Sequence, residues 1–287
     1  MPLLAVPNIS EGRDEKLLAE LKAIVAAAGV RVLDVHTDPV HNRSVFTLTA
    51  ESDRLVEGCV ALAEVASKRI DLSIHSGVHP RLGGLDICPF VPHETTMEQA
   101  VGAARRAAEA IAAGSKLPVY LYGHAATRPA TRELPDLRRG GLEALARRAT
   151  GELPPDHGPA EIEMSRGVVC VGARDPLIAF NVWLRGDLQA AKEIAARTRS
   201  THLRTLGLLI SETESQVSMN LIHPEAVGLE DAFGAVNREA VERGLQVTAT
   251  EIVGLVPERF LPGPDATVTR LLKQPGHSLE ACLEATD

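Results

Sequence analysis

The run His75–Pro92, HSGVHPRLGGLDICPFVP, constrains the fold of this chain more than any other segment. Four of its first ten residues are glycine or proline. They oppose regular structure, because Pro fixes φ and lacks an N–H while Gly tolerates positive φ. We therefore predict a tight loop that carries His79, Pro80 and Arg81 and enters a buried strand at 85–91. Catalytic groups concentrate on loops held by a rigid sheet, and a plain surface turn is the alternative.

Composition excludes several classes of protein. The 287 residues suffice for one large domain or for two of about 140 residues each, and a hydrophobic content of 45% supports a substantial core. Aromatic residues make up 3%, the net charge is −8 and there is no block of basic residues, so we expect no nucleic-acid partner. No stretch approaches about 18 uncharged apolar residues, so we expect no membrane span.

The start of the chain and its cysteines favour a cytoplasmic protein. The first residues lack the basic region and the long apolar run that are typical of a signal peptide. The cysteines are widely spaced and show no CxxC pattern: Cys59, Cys88, Cys170 and Cys282. We interpret them as reduced thiols, buried where they lie in apolar runs.

Hydrophobic periodicity predicts two halves in which strands and helices alternate. The first half has the order βαββαβαβ, with strands at 3–6, 30–35, 42–50, 85–91 and 118–122 and helices at 13–28, 52–70 and 95–113. The second half has the order ββαββαβ, with strands at 167–172, 177–184, 206–210, 216–222 and 246–253 and helices at 187–199 and 228–243. The stretch 127–159 is rich in charges and breakers, and we predict that it connects the halves with one short helix at 141–149.

Strand pairs mixed with crossing helices predict an α+β fold rather than a doubly wound parallel sheet. We predict two α/β subdomains, residues 1–165 and 166–287, each a mixed or antiparallel β-sheet covered by helices. No G-x-G-x-x-G segment leads from a strand into a helix, and no Walker A pattern is present. Dinucleotide and P-loop sites are therefore disfavoured.

His79 is the leading candidate for chemistry. A histidine whose pKa is near neutrality can accept and return a proton at working pH. Arg81, two residues further on, can bind a carboxylate through its bidentate guanidinium fork. Asp86 is the nearest carboxylate that could orient the ring; alternatively, it bonds the loop backbone at the start of the strand.

The loop 34–44 is a second candidate region. It joins two predicted strands and contains several polar side chains, among them His36, Asn42 and Arg43. Such a loop forms either a ligand wall or an ordinary solvated hairpin.

Two further places offer ligand contacts. At Asn8 and Ser10 a strand opens into a helix, whose free backbone N–H groups suit an anion; alternatively, Ser10 only caps the helix. Arg174 follows the predicted strand at 167–172, and Asn181 interrupts the next apolar strand. A buried amide needs partners, so Asn181 is either a structural bridge or a ligand contact.

A metal centre is an alternative use of the histidines. His75 and His79 are four residues apart, a spacing that presents two metal ligands on a helix, but the glycine and proline beside them disfavour a helix. No H-E-x-x-H pattern or paired cysteine accompanies them. A metal-dependent hydrolase that uses His75, His79 and another histidine stays open as a hypothesis.

Short segments spread over residues 3 to 257 carry a family resemblance. In chain order they are VPNISEGR, HNRSVFTL, VEG, HPRLGGLDICPFVP, LPVYLYG, DHGP, VGARDPLIAFNVWL, VSMNL and EIVGLVP. Together they resemble the glutamate formiminotransferase family, the folate-dependent enzymes of histidine breakdown. The resemblance covers the formiminotransferase domain, and we expect no cyclodeaminase domain such as the one fused to it in animal enzymes.

The resemblance implies transfer of a formimino group from N-formimino-L-glutamate to N5 of tetrahydrofolate, the co-substrate, without a metal. It also implies two α/β subdomains that bind folate in a groove between them, and a homodimer. The family's catalytic histidine falls on the HPR motif, hence His79 as general acid/base, with His36 as a second catalytic candidate. Candidates for substrate and folate contacts are Asn8, Ser10, Asn42, Arg43, Arg81, Gly83, Arg174 and Asn181.

The chain departs from the family pattern at three positions that are usually acidic. Here they are His36, Val78 and His124. Nearby carboxylates favour a cationic formimino donor. Their replacement leaves open a different donor, such as neutral formylglutamate, or a folate-binding relative without turnover.

Overall fold

A computed structural model describes residues 3–285, and the chain divides into two units between Asp175 and Pro176. Each unit mixes helices with a β-sheet, as the sequence predicts. The predicted boundary after residue 165 precedes a strand, Val169–Ala173, that pairs with two other strands of the first sheet. The division therefore falls later, because this strand completes the first sheet.

The first unit contains a seven-stranded sheet with the order β1-β4-β2-β5-β7-β6, in which β3 pairs with β4. Its strands are β1 (Leu3–Ala5), β2 (Asn8–Ile9), β3 (Arg31–Asp38), β4 (Arg43–Ala50), β5 (Leu85–Val91), β6 (Val119–Gly123) and β7 (Val169–Ala173). Strands β5, β7 and β6 run parallel, whereas the other pairings are antiparallel. Its helices are α1 (Glu15–Ala27), α2 (Ser52–Arg69), α3 (Met97–Ser115), α4 (Pro129–Arg132), α5 (Leu134–Arg138) and α6 (Gly141–Ala149).

Side-chain caps explain where two of these helices begin. Asp14 accepts hydrogen bonds from the backbone N–H groups of Lys16 and Leu17, so α1 begins later than predicted. Thr96 and Gln99 form a capping box at the start of α3.

The parallel strands are buried on both faces. In β6 and β7, Val119 and Val171 belong to the core formed with α1, α2 and α3. Their neighbours Tyr120 and Cys170 face the other way and pack with Leu145 of α6. Parallel sheets are usually covered on both faces, which explains why the sequences of β6 and β7 carry no charged residue.

The stretch 127–159 is a second helical layer, and the prediction of a simple connection is wrong. Helix α6 matches the predicted helix at 141–149, but α4 and α5 were not predicted. Two leucines of this stretch, Leu137 and Leu153, are buried against the sheet. Several of the charged and breaker residues that mark it as a connection, such as Pro135, Asp136 and Arg138, lie within α5, whose Leu137 packs against the sheet.

The second unit is built on a four-stranded antiparallel sheet with the order β11-β8-β10-β9. Its strands are β8 (Ile178–Arg185), β9 (Leu203–Leu209), β10 (Glu214–Leu221) and β11 (Gln246–Val253), and its main helices are α7 (Leu188–Thr198) and α8 (Leu229–Glu242). Phe180 and Val182 of β8 pack in the core with both helices. The chain then adds a parallel pair, β12 (Leu255–Val256) and β13 (His277–Ser278), a 3-10 turn (Glu258–Phe260), α9 (Thr267–Arg270) and α10 (Leu279–Glu284).

The predicted order of elements along the chain is found, with local differences, although the strand predicted at 167–172 belongs to the first unit. Strand β2 was not predicted because it is only two residues long. Strand β9 begins at Leu203, earlier than predicted, because Arg204 and Thr205 interrupt the apolar run while their backbone continues to pair with β10. In the part of the chain that the structure describes, no helix is both long and apolar enough to cross a membrane.

Candidate active site

The segment 75–84, called here the His79 loop, enters β5 as the sequence predicts. Its C-terminal end is held by backbone and hydroxyl groups from neighbouring segments. The Ser10 N–H donates to the Gly84 carbonyl at 2.8 Å, and the Ser10 hydroxyl donates to the Gly83 carbonyl at 2.7 Å. The Val168 N–H donates to the Leu82 carbonyl at 2.8 Å. Ser10 therefore anchors the loop rather than capping α1.

Arg81 folds the loop onto itself. Its Nη2 donates to the Gly77 carbonyl at 2.7 Å, and its Nε donates to the His79 carbonyl at 3.2 Å. Its Nη1 lies against Nδ1 of His75. All three nitrogens of the guanidinium thus face acceptors within the loop, which fixes the backbone on both sides of His79.

The turn before β4 supports the loop from the other side. Asn42 adopts a positive φ of 48°, a conformation that Asn tolerates better than most residues. Its Oδ1 accepts from the Gly12 N–H and its Nδ2 donates to the Ser76 carbonyl, both at 2.9 Å. A Cβ on Gly77 would lie 2.3 Å from the His41 carbonyl, so the two segments pack in backbone contact.

A buried ion cluster lies at the point where the loop enters β5. The Asp86 carboxylate is fully buried; its Oδ2 is 2.6 Å from Nη1 of Arg43 and also contacts Nη2 of Arg138. Its Oδ1 accepts from the Leu82 N–H at 2.8 Å, so Asp86 bonds the loop backbone. Burial alone would raise the pKa of Asp86, but the guanidinium groups of Arg138 and Arg43 outweigh burial and hold this pKa well below its usual range.

His79 is held as a neutral imidazole with a defined tautomer. Its Nδ1 lies 2.7 Å from the Pro80 carbonyl, and because a carbonyl can only accept, Nδ1 carries the proton and Nε2 the lone pair. Burial, followed by the charges of Arg43 and Arg138, lowers the pKa of His79 well below 6.5, and Asp86 opposes this shift. A neutral ring with its lone pair on Nε2 can accept a proton at neutral pH.

Two features surround this ring. The centroid of the His41 ring lies 5.8 Å from that of His79. His79 also lines an open cleft of about 730 Å³, whose other lining residues include Arg81 of the loop and Gly140 and Glu143 near the junction of α5 and α6. The cleft gives a small molecule access to the loop.

The structure brings most of the predicted contact residues of the first unit together around this loop. Asn8 accepts from Nε of Arg43 at 3.1 Å through its Oδ1, which adds β2 to the cluster. His36 lies on β3 opposite Val45 of β4.

Two predicted contact residues lie elsewhere. The Arg174 N–H donates to the Phe90 carbonyl, near the C-terminal end of β5, whereas the His79 loop joins β5 at Leu85. Five strand residues separate these points by about 17 Å. Asn181 lies on β8 of the second unit, where its Nδ2 donates to Glu251 of β11 at 2.9 Å, a bond of the kind expected for a structural bridge.

His124, one of the three positions where the family is usually acidic, also lies far along the strands. It follows the C-terminal end of β6, and its Nε2 lies 3.1 Å from Oδ2 of Asp175. A carboxylate is therefore present beside this histidine, supplied by another residue.

Sequence reasoning missed Arg138. It belongs to the cluster through Asp86, and its Nη1 donates to the Pro80 carbonyl at 2.9 Å. Nothing local to the run ELPDLRRGG points to this role, because its partners are more than 50 residues away in the chain.

The hypothesis of a metal-dependent hydrolase requires a group of side chains that could bind a metal ion. Between residues 3 and 285, no group of three or more His, Cys, Asp or Glu side chains is placed to hold a metal ion. His75 instead contacts Arg81 through Nδ1.

A loop histidine that is neutral at working pH, oriented by a carbonyl and open to a cleft, is suited to general acid–base catalysis in an enzyme. Comparison with known families is more specific. The protein-family model for the N-terminal subdomain of the formiminotransferase domain matches residues 3–174, and the family model for the formiminotransferase domain matches residues 177–264. The chain therefore belongs to the formiminotransferase family, and the predicted resemblance is confirmed.

Individual relatives agree. A glutamate formimidoyltransferase of Streptococcus pyogenes serotype M1 is 36% identical over 266 residues, which cover 89% of each chain. One from Thermoplasma acidophilum is 37% identical over 268 residues, or 89% of this chain and 88% of the relative. A formimidoyltransferase-cyclodeaminase of Mus musculus is 37% identical over 271 residues, or 89% of this chain but only 50% of the relative.

Proposed function

We propose that this protein transfers a formimino group from N-formimino-L-glutamate to N5 of tetrahydrofolate, with His79 as general acid/base. Its membership of the formiminotransferase family supports the reaction, as do relatives named glutamate formimidoyltransferase that match over most of their length. The observation that carries the role of His79 is the hydrogen bond between Nδ1 and the Pro80 carbonyl, which leaves a basic Nε2.

The transfer needs a base that takes the amine proton and an acid that protonates the departing nitrogen, and one histidine can do both in turn. Tetrahydrofolate supplies the amine that accepts the formimino group. His79 takes the proton of that amine on Nε2, becomes an imidazolium and then returns the proton to the departing glutamate nitrogen. A low pKa suits the second role, because the imidazolium formed in the first step is a strong acid.

The predicted binding residues take different parts in this proposal. Ser10, Asn42 and Gly83 shape the His79 loop, and Arg43, which donates to Asn8, pairs with the Asp86 carboxylate. Contact of these residues, of Arg81, Arg174 and Asn181, and of His36 with substrate or folate stays a prediction. The folate groove between subdomains, the homodimer and the cytoplasmic location also stay predictions.

The test is turnover with tetrahydrofolate, run in parallel with formiminoglutamate and formylglutamate as donors. We expect turnover with formiminoglutamate and its loss in His79→Ala, with folate affinity within about twofold of wild type. His277→Ala, an exposed histidine in the second unit, is the control and should keep full activity.

Three outcomes would revise the proposal. Preference for formylglutamate would show that the replaced acidic positions changed the donor. Folate binding without turnover by the folded wild type would make the protein a binding relative. Full turnover by His79→Ala would remove the assigned role of His79.

A further inference from the structure

One backbone carbonyl is shared by His79 and Arg138. The Pro80 carbonyl accepts from Nδ1 of His79 at 2.7 Å and from Nη1 of Arg138 at 2.9 Å. The other arm of the same guanidinium, Nη2, contacts the Asp86 carboxylate. Arg138 therefore bridges the acceptor that orients His79 and the anion buried below the loop.

Arg138 is itself held in place by its own helical layer. It is the last residue of α5, and Arg148 of α6 donates to the carbonyls at this helix end, reaching Asp136 at 3.1 Å, Leu137 at 2.9 Å and Arg139 at 3.2 Å. Leu137 is fully buried in the cluster beneath the sheet. The backbone that carries Arg138 is thus fixed by contacts of α5 and α6.

This geometry has two consequences for the imidazole. A carbonyl oxygen that also accepts from a cation is fixed in direction, so it holds the Nδ1–H and the ring plane in one orientation. The charged groups that act on His79 are Arg43, Arg138, Asp86 and His41, and the guanidinium groups oppose a second proton on the ring. Arg138 thus contributes to both the orientation and the neutrality of the ring.

We propose that Arg138 is a positioning residue for His79: through the Pro80 carbonyl it keeps the imidazole in the tautomer that has its lone pair on Nε2. This inference deepens the proposed function, since it takes His79 as the acid/base of the transfer. It also assigns a purpose to the layer 127–159, which fastens the loop that carries the chemistry.

The experiment compares Arg138→Gln, Arg138→Lys and the control Arg139→Gln, whose exposed side chain pairs with Asp136. Two readouts are needed: kcat and KM with formiminoglutamate and tetrahydrofolate, and the tautomer and pKa of His79 from ¹⁵N NMR, assigned with His79→Ala. Far-UV circular dichroism establishes that each variant is folded.

We expect Arg138→Gln to lose on the order of 10- to 100-fold in kcat with little change in KM, because a misoriented base slows the proton transfers. Its NMR spectrum should show a mixture of tautomers and a higher His79 pKa, since one cation has gone. Arg138→Lys retains the charge but cannot contact the Pro80 carbonyl and Asp86 with two separate nitrogens. We therefore expect a His79 pKa close to that of wild type, a mixture of tautomers and a lower kcat. Arg139→Gln should match wild type.

Wild-type tautomer, pKa and kcat in folded Arg138→Gln would overturn the inference. If Arg138→Gln does not fold, Arg138→Lys decides: a mixed tautomer with lower kcat supports the inference, and no change in either overturns it. The NMR readout does not depend on turnover. An inactive His79→Ala alongside an unaffected Arg138→Gln would therefore sink only this inference, whereas an active His79→Ala would sink the assigned role of His79.

Discussion

Nη1 of Arg43 lies 2.6 Å from the buried Oδ2 of Asp86, and this ion pair spans three strands of the first sheet. Arg43 begins β4 and Asp86 lies in β5, while the strand between them, β2, supplies Asn8 as an acceptor for Nε of Arg43. The pair therefore ties the strand that follows the His79 loop to the hairpin that supports the loop from the other side.

Asp86→Asn should destabilise the protein strongly. The substitution leaves Arg43 and Arg138 buried beside a neutral amide, and removing one partner of a buried pair costs about 3–5 kcal/mol in the free energy of unfolding. Urea denaturation measures the loss. Asp53→Asn, which removes an exposed carboxylate paired with Arg106, is the matched control and should cost less than about 1 kcal/mol. Similar losses in both variants would contradict a special role for the buried carboxylate.

The stability contributed by Asp86 should depend on pH in a defined direction. Its folded pKa is depressed, so the contribution is fully present above the unfolded value of about 3.9 and is lost as the pH falls below it. The difference in free energy of unfolding between wild type and Asp86→Asn should therefore begin to shrink below about pH 4 and should keep shrinking as the pH falls toward the depressed folded pKa of Asp86. A difference that stayed constant across this range would show that the charge of Asp86 does not stabilise the fold.

The acid limb of turnover should lie below pH 6.5. Burial, Arg43 and Arg138 lower the pKa of His79 from that value, and the general base must be neutral to accept a proton. We expect kcat/KM to be flat from neutral pH down to 6.5 and to fall only below it. The measurement is a pH profile between about 5 and 8 with a non-limiting second substrate. A limb centred at or above 6.5 would mean that another group titrates or that the ring is more hydrated.

Gly77→Ala should impair catalysis through the loop backbone. The new Cβ would lie 2.3 Å from the His41 carbonyl and 2.8 Å from Nη2 of Arg81, so the backbone beside His79 must shift. A displacement of about 1 Å can cost on the order of 100-fold in rate. Steady-state kinetics measure the effect, with Gly151→Ala as control because a Cβ there meets open space. An unimpaired Gly77→Ala would show that the loop adjusts without moving His79.

Replacements of Asn42 separate its hydrogen bonds from its backbone conformation. Asn42→Gly keeps the positive φ but loses the bridge between Gly12 and Ser76, which should cost about 1–3 kcal/mol. Asn42→Ala should lose roughly another 1 kcal/mol, because Ala resists this φ. Chemical denaturation of both variants measures the two terms. No loss in Asn42→Gly would show that water replaces both bonds.

Much of the fold and part of the site could be predicted because their signals are local. The breakers at 77–84 and the apolar run after them define the loop and strand β5, which spans Leu85–Val91 as predicted. The two roles considered for Asp86 could not be separated in the same way. In the sequence, Arg43 and Asp86 are ordinary polar residues. They become an ion pair only because the sheet places β4 beside β2 and β2 beside β5.

The sequence by itself determined the order of helices and strands, the position of the His79 loop, and membership of the formiminotransferase family, since periodicity, breakers and motifs are carried by neighbouring residues. Only the tertiary structure decided that Arg174 lies far along β5 from His79, that the first sheet extends through β7, and that Arg138 reaches the Pro80 carbonyl. These facts depend on contacts between distant segments. The physical reason is that a guanidinium binds acceptors that are close to it in space, and the sequence separation of these residues does not indicate that they are close.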